Sequence, residues 1–189
     1  MPEIEQKGQN MIKLYLVRHG ETVDNVDRVL QGQTDGRLNE NGIRMAHEVA
    51  GRMADVHIDA FFSSDLGRCI NTCSIIAEPH QQPIIQTKLL RERDWGSFTG
   101  LYIPDLKGRV WPDDIETNEQ MYERAEQFLQ WIRRDYDGKT LLVVGHGIIN
   151  LVLMSILLDM PMREIEKMQN AEVRVFEVGG ERKEERGEG

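Results

Sequence analysis

Ile12-Lys13-Leu14-Tyr15-Leu16-Val17-Arg18-His19-Gly20-Glu21-Thr22 carries an apolar, β-rich run straight into a glycine-containing turn that presents an arginine and a histidine. Open α/β sheets bind ligands outside the carboxyl ends of their strands, so chemically loaded side chains just past such a run mark a candidate site. The residue types suit an anion. Histidine offers a nitrogen nucleophile at neutral pH, guanidinium matches phosphate oxygens, and glycine lets backbone N–H groups come close. Phosphoryl chemistry on His19 is the first expectation. By itself the Arg-His-Gly step would serve equally as a solvated loop pair, so the rest of the chain must supply partners.

The remaining periodicities alternate helix and strand. Ile43, Ala46, Ala50 and Met53 recur at helical spacing behind Asn39, a suitable N-cap. Ala60-Phe61-Phe62 reads as a short strand ending at Ser63-Ser64-Asp65, followed by a helix from about Leu66 to Glu78 and a weaker strand from Pro83 to Thr87. Glu119 to Tyr136 places Met121, Ala125, Phe128, Leu129 and Ile132 on one helical face. Thr140 to Val144 is an uninterrupted β-branched and leucine run that ends at Gly145-His146-Gly147 and leads into the apolar helix Ile148 to Leu158, and Val173 to Val178 is a last strand. This alternation predicts an α/β fold, a three-layer α/β/α sandwich with a mostly parallel central sheet. Arg18-His19, Ser64-Asp65 and His146 then share one sheet edge.

At 189 residues, 40% hydrophobic and 29% charged, the chain fits one globular domain with a sizeable core, expected over 12–178. Residues 1–11 read as a flexible N-terminal extension, with Met11 an alternative start to Met1. The Gly/Glu/Lys/Arg tail 179–189 cannot bury a core and is expected to be disordered. A formal charge of −9 argues against non-specific binding to nucleic acid or an anionic membrane, so any positive site must be concentrated. No apolar run reaches membrane-spanning length and Met1 to Lys13 lacks a hydrophobic signal core, which together predict a cytoplasmic protein.

Cys69 and Cys73 stand at i and i+4, where β-carbons lie about 5–6 Å apart, too wide for a disulfide; they read as reduced helix-face residues. No zinc-type spacing or EF-hand loop occurs, so neither metal nor cofactor is expected. His47, His57 and His80 lack partners in the pattern and read as surface or helix-face residues rather than ligands. Leu151 to Leu158 reads as core rather than as a dimer face, although a homodimer is left open.

Arg18-His19-Gly20-Glu21-Thr22 with Asn25; Gln31-Gly32-Gln33-Thr34-Asp35 with Leu38 and Gly42; Ser63-Ser64-Asp65-Leu66-Gly67-Arg68 with Thr72; Leu90-Arg91-Glu92 with Gly96 and Gly100; and Gly145-His146-Gly147 follow one another in the order of a known pattern. With them the chain resembles the histidine phosphatase superfamily, with its phosphoglycerate mutase-like fold, from Ile12 to about Leu158. The resemblance implies that His19 accepts the phosphoryl group as a phosphohistidine. Its other ring nitrogen should then donate to a backbone carbonyl to fix the tautomer. Arg18, Arg68 and His146 are implied as the phosphate pocket, His146 becoming protonated when phosphate binds. Asn25, Gln31, Gly32 and Gly147 are implied as lesser contacts, with free N–H groups at Gly147 and Ile148 assisting the anion.

Glu92 is the candidate general acid, a role for which a pKa raised by partial burial is expected, and Asp94 is its substitute. Thr99 stands where the family usually has Glu, and Ile115-Glu116-Thr117-Asn118 where many members have Gly-Glu-Ser; both put substrate identity in doubt. Family mutases enclose their substrate with a large insertion after the acidic segment, whereas this chain has a short cap at about 101–118, with Tyr102, Lys107, Arg109 and Trp111 available to a substrate. An open pocket favours hydrolysis of a small phosphorylated metabolite over mutase transfer. A non-catalytic phosphate sensor is the alternative from another class.

Overall fold

A computed structural model describes residues 11–179. The expected N-terminal extension up to Asn10, the start at Met1 and nearly all of the expected tail lie outside the described residues. Among the described residues five strands, β1 (Ile12–Arg18), β2 (Ala60–Ser64), β3 (Ile84–Thr87), β4 (Thr140–Gly145) and β5 (Val173–Val178), form one sheet in the order β3-β2-β4-β1-β5. Only β5 runs antiparallel. The helices are α1 (Val23–Val26), α2 (Glu40–Met53), α3 (Gly67–Ala77), α4 (Asn118–Asp135) and α5 (Gly147–Leu158).

Alternation along the strands builds two cores, because successive side chains leave opposite faces of a sheet. Leu14, Leu16, Phe62, Leu141 and Val143 point one way and pack with Met121, Ala125, Phe128, Leu129 and Ile132 of α4 and with α5. Tyr15, Val17, Phe61, Leu142 and Val144 point the other way, against Val49 and Met53 of α2 and Cys69, Cys73 and Ile76 of α3. The sheet is thus covered on both sides, which is why its strands read as continuous apolar runs. Most of α5 is core, Leu151 to Met154 being buried, and only Leu158 at its end is 45% exposed.

The topology fixes where the loops meet. From β1 the chain crosses to β2, and from β4 it passes over β1 to β5, so the crossovers leave the neighbouring strands β1 and β4 in opposite directions. That divergence is the switch point at which α/β sheets open a crevice. The parallel register pairs Arg18 with Gly145, bringing the two histidine-bearing turns side by side.

One detail departs from the expectation. Ile43, expected on the core face of α2, is 42% exposed, and the buried stripe is Gly42, Ala46, Val49, Ala50 and Met53. The reason is steric. Gly42 lies against the Glu21 backbone, where a Cβ would come within 2.0 Å of the Glu21 carbonyl oxygen, and Gly20 is pressed in turn against the Gly42 carbonyl. The close approach places Gly42 on the inner face and turns Ile43 outward. β5 is an antiparallel edge strand on an otherwise parallel sheet, which agrees with the mostly parallel sheet expected. Gly42→Ala is expected to destabilise the protein by roughly 1–3 kcal/mol, the usual range for overpacking, measured as a lowered urea midpoint.

Candidate active site

His19 is 3% exposed, at the end of β1. Its backbone is tied down on three sides. The His19 N–H donates to Gly145 O (3.0 Å), its carbonyl accepts from Ala171 N–H (3.1 Å) and Asn170 Nδ2 (3.1 Å), and Gly20 N–H donates to Thr72 Oγ1 on α3 (3.0 Å). The ring's Nδ1 lies 2.7 Å from Gly20 O and, since a carbonyl can only accept, must carry the proton. In the neutral ring Nε2 keeps its lone pair. Burial, then the charges of Arg68 and Arg18, hold the His19 pKa well below the ordinary 6.5.

Arg68 projects from the first turn of α3 and is 1% exposed. Its guanidinium is cradled by backbone carbonyls: Nη2 donates to Gly32 O (2.8 Å), and Nη1 donates to Asp35 O (3.3 Å) and to Thr34 O. Arg18 Nη1 donates to Met168 O at 2.7 Å. The Nε–H of each arginine is buried without a partner among the described residues. Burial lowers both arginine pKa values from the ordinary one, partly offset by nearby acidic groups, Glu92 among them. Both remain cations that retain an unused donor, an arrangement suited to an incoming anion.

His146 is fully buried as the residue before α5, its ring centroid 5.2 Å from that of His19. Nε2 meets Ser64 Oγ at 2.9 Å and Cys69 Sγ at 3.3 Å. Burial first, then the Arg68 charge, push the His146 pKa well below 6.5, so without an anion the ring is neutral. Cys69 was expected to be no more than a reduced helix-face residue; it is free and buried, and it backs this ring.

Glu92 is half-buried and reaches the same place from the other side. Its carboxylate accepts from Arg93 N–H (2.9 Å) and Ile148 N–H (3.2 Å). The latter contact corrects one expectation: the Ile148 N–H at the start of α5 is not free for phosphate, because Glu92 occupies it. Gly147 leaves room there, since a Cβ would sit 3.6 Å from Glu92 Oε2 and 3.7 Å from the Arg18 guanidinium. Asp94, the substitute acid, is exposed, with one oxygen accepting from Gly96 N–H.

The lesser candidates divide. Asn25 Oδ1 accepts from Thr22 N–H and Asn170 Nδ2 within the α1 capping box, so only its amide NH2 remains for a ligand. Gly32 acts through its carbonyl on Arg68. It needs to be glycine, with φ at +53° and Thr99 Oγ1 where a Cβ would go. Gln31 Oε1 is buried without a partner beside Gly36, where a Cβ would also press on Arg68. Tyr102, Lys107, Arg109 and Trp111 are exposed, Trp111 touching Trp95 at 5.5 Å. The sequence reading missed Arg93, 8% exposed and bound to Asn118, and Arg124; neither sits in a motif that separates it from surface charge. His47 and His57 are exposed, and His80 packs on Phe61.

The comparisons with known proteins agree with this geometry. A family model described as the histidine phosphatase superfamily (branch 1) matches residues 14–187. The chain is 36% identical over 141 residues to the "Uncharacterized phosphatase PhoE" of Bacillus subtilis (strain 168), which covers 72% of each protein. It superposes on Bacillus stearothermophilus YhfR with a TM-score of 0.80 and 30% identity, covering 87% of this chain and 90% of that one. A phosphoglycerate mutase from Bacillus anthracis str. Sterne gives a TM-score of 0.80 at 25% identity, covering 91% of both chains. Signature segments in order along the sequence, gathered at one edge of a phosphoglycerate mutase-like sheet, together with a match over nearly the whole chain, mean that this protein belongs to the histidine phosphatase superfamily.

Proposed function

We propose that the chain is a metal-independent phosphomonoester hydrolase that acts on a small phosphorylated metabolite through a phosphohistidine at His19. The observation that carries the reading is a buried neutral histidine, Nδ1 held by Gly20 O, beside two buried arginines that each keep an unpartnered Nε–H. In the first step His19 Nε2 forms a bond to phosphorus as the ester P–O bond breaks, and protonated Glu92 gives its proton to the departing oxygen to yield the alcohol. In the second, water attacks the phosphohistidine, Glu92 takes a proton from that water, and the N–P bond breaks to release inorganic phosphate. Arg18 and Arg68 stabilise the charge on the transferring oxygens throughout. His146 takes up a proton as phosphate oxygens approach, becoming a further donor.

The relatives' names divide between phosphatase and mutase. Support for hydrolysis comes from the segment we read as the cap, 101–118. It contains one short 3-10 turn, Ile103–Leu106, and exposes Tyr102 by 45%, Val110 by 90% and Trp111 by 57%, so it offers little to keep water out. Among the described residues no helix is long and apolar enough to cross a membrane.

Phosphate release from sugar phosphates, phosphoglycerates, nucleotides and phosphopeptides, with EDTA present, is expected for the intact protein and lost in His19→Ala. A rapidly quenched reaction should contain acid-labile, base-stable phosphate on the protein. Phosphate binding with no turnover of any ester would instead favour the sensor reading. A pH effect on stability follows from the two neutral histidines. Because burial holds both below 6.5, the unfolded chain binds more protons than the folded one under that pH. Stability without phosphate is therefore expected to fall as pH drops through that value toward the depressed folded pKa values, and above it these two rings contribute no slope. Urea midpoints at about pH 7.5 and about pH 5.5 check this, and a His19→Gln, His146→Gln variant should flatten the dependence.

A further inference from the structure

Glu92 lies in a long irregular connection between β3 and α4, and among the described residues the only hydrogen bonds to its carboxylate come from the backbone N–H groups of Arg93 and Ile148. No side chain grips it. Its aim therefore depends on where the backbone of residues 89–94 is held. On α4, Arg124 Nη1 donates to Leu89 O (2.9 Å) and Arg91 O (2.6 Å), and Nη2 donates to Glu92 O (3.3 Å). The same guanidinium forms a two-pronged ion pair with Glu116, Nε to Oε1 at 2.6 Å and Nη2 to Oε2 at 2.9 Å. Glu116 Oε2 in turn accepts from Asp94 N–H (3.0 Å), while Glu116 N–H donates to Asp94 O (2.9 Å). One ion pair thus fixes the chain on both sides of Glu92. Its side chains are only 14% and 12% exposed, so solvent competes weakly for these bonds. On the far side Gln33 Nε2 also donates to Glu92 O, at 3.2 Å.

We propose that Arg124, with Glu116 as its counter-ion, is a positioning residue that aims Glu92 at the leaving oxygen. The proposal rests on the acid assignment made above. A lysine could not replace it fully, because contacts to three carbonyls and two carboxylate oxygens need a planar guanidinium with several fixed donors. Proton delivery matters in proportion to how poor the leaving group is. An alkoxide leaving from phosphorus must be protonated, whereas a dinitrophenolate departs as a stable anion.

The test is kcat/KM, which reports steps up to formation of the phosphoenzyme, for glycerol 2-phosphate and for 2,4-dinitrophenyl phosphate. Arg124→Ala is expected to lower the value for the alkyl ester by about tenfold to a hundredfold and that for the activated ester by less than about threefold. Arg124→Lys should recover part of the difference, and Glu92→Gln should show the same selectivity more strongly. Equal losses on both esters in Arg124→Ala, with Glu92→Gln selective, would overturn the positioning role alone. Equal losses in Glu92→Gln would overturn the acid assignment and this proposal with it. Should Arg124→Ala fail to fold, Glu116→Gln carries the same comparison: selective loss supports the proposal and uniform loss overturns it.

Discussion

The parallel pairing of β1 with β4 is the constraint on which the site depends. It sets Arg18 opposite Gly145, lets His19 N–H bond to Gly145 O, and so puts the two histidine turns in contact. Asn150 reinforces the pairing by donating from Nδ2 to Val17 O. Its side chain fills the space beside Gly145, where a Cβ would lie 2.2 Å from Asn150 Oδ1. A shift of one residue in this register would exchange the two faces of β1, exposing Leu14 and Leu16 to the wrong core as well as separating His19 from His146. Core packing and site geometry are therefore specified by the same contacts.

Arginines in this protein sort by what they are paired with. Arg91 is held by Asp65 through two bonds of 2.7 Å, and Arg124 by Glu116; their charges are neutralised, and they act as struts. Arg68 and Arg18 instead rest on carbonyl dipoles, which stabilise a buried guanidinium without cancelling its charge. The difference lets a chain of net charge −9 keep a local positive centre for an anion. The sequence singles out Arg18 and Arg68 by their motifs but does not show what pairs with each arginine, because those partners arrive from distant segments.

The acidic segment shows the same limit. Glu92 and Asp94 are two residues apart in a charged stretch; the family resemblance ranks Glu92 first, but nothing in that stretch shows what holds it. The structure separates them because Arg124 and Gln33 hold the carbonyl of Glu92, which turns its carboxylate onto the start of α5, while Asp94 is left exposed. Glu116, read from sequence as part of a departure from the family's Gly-Glu-Ser, is the counter-ion that stabilises this arrangement.

The α/β architecture and the order of its strands and its longer helices were legible in the sequence, since period-2 and period-3.6 apolar patterns report burial directly. The sequence also located the Arg18-His19 and Gly145-His146 turns, because a strand running into glycine and a titratable side chain is a local feature. The antiparallel direction of β5, the outward turn of Ile43, the Cys69 contact behind His146 and the contacts that hold the Glu92 backbone came from tertiary packing alone. Each of these depends on which distant backbone comes within a few ångströms, and that information is carried by packing across the sheet edge rather than by any window of sequence.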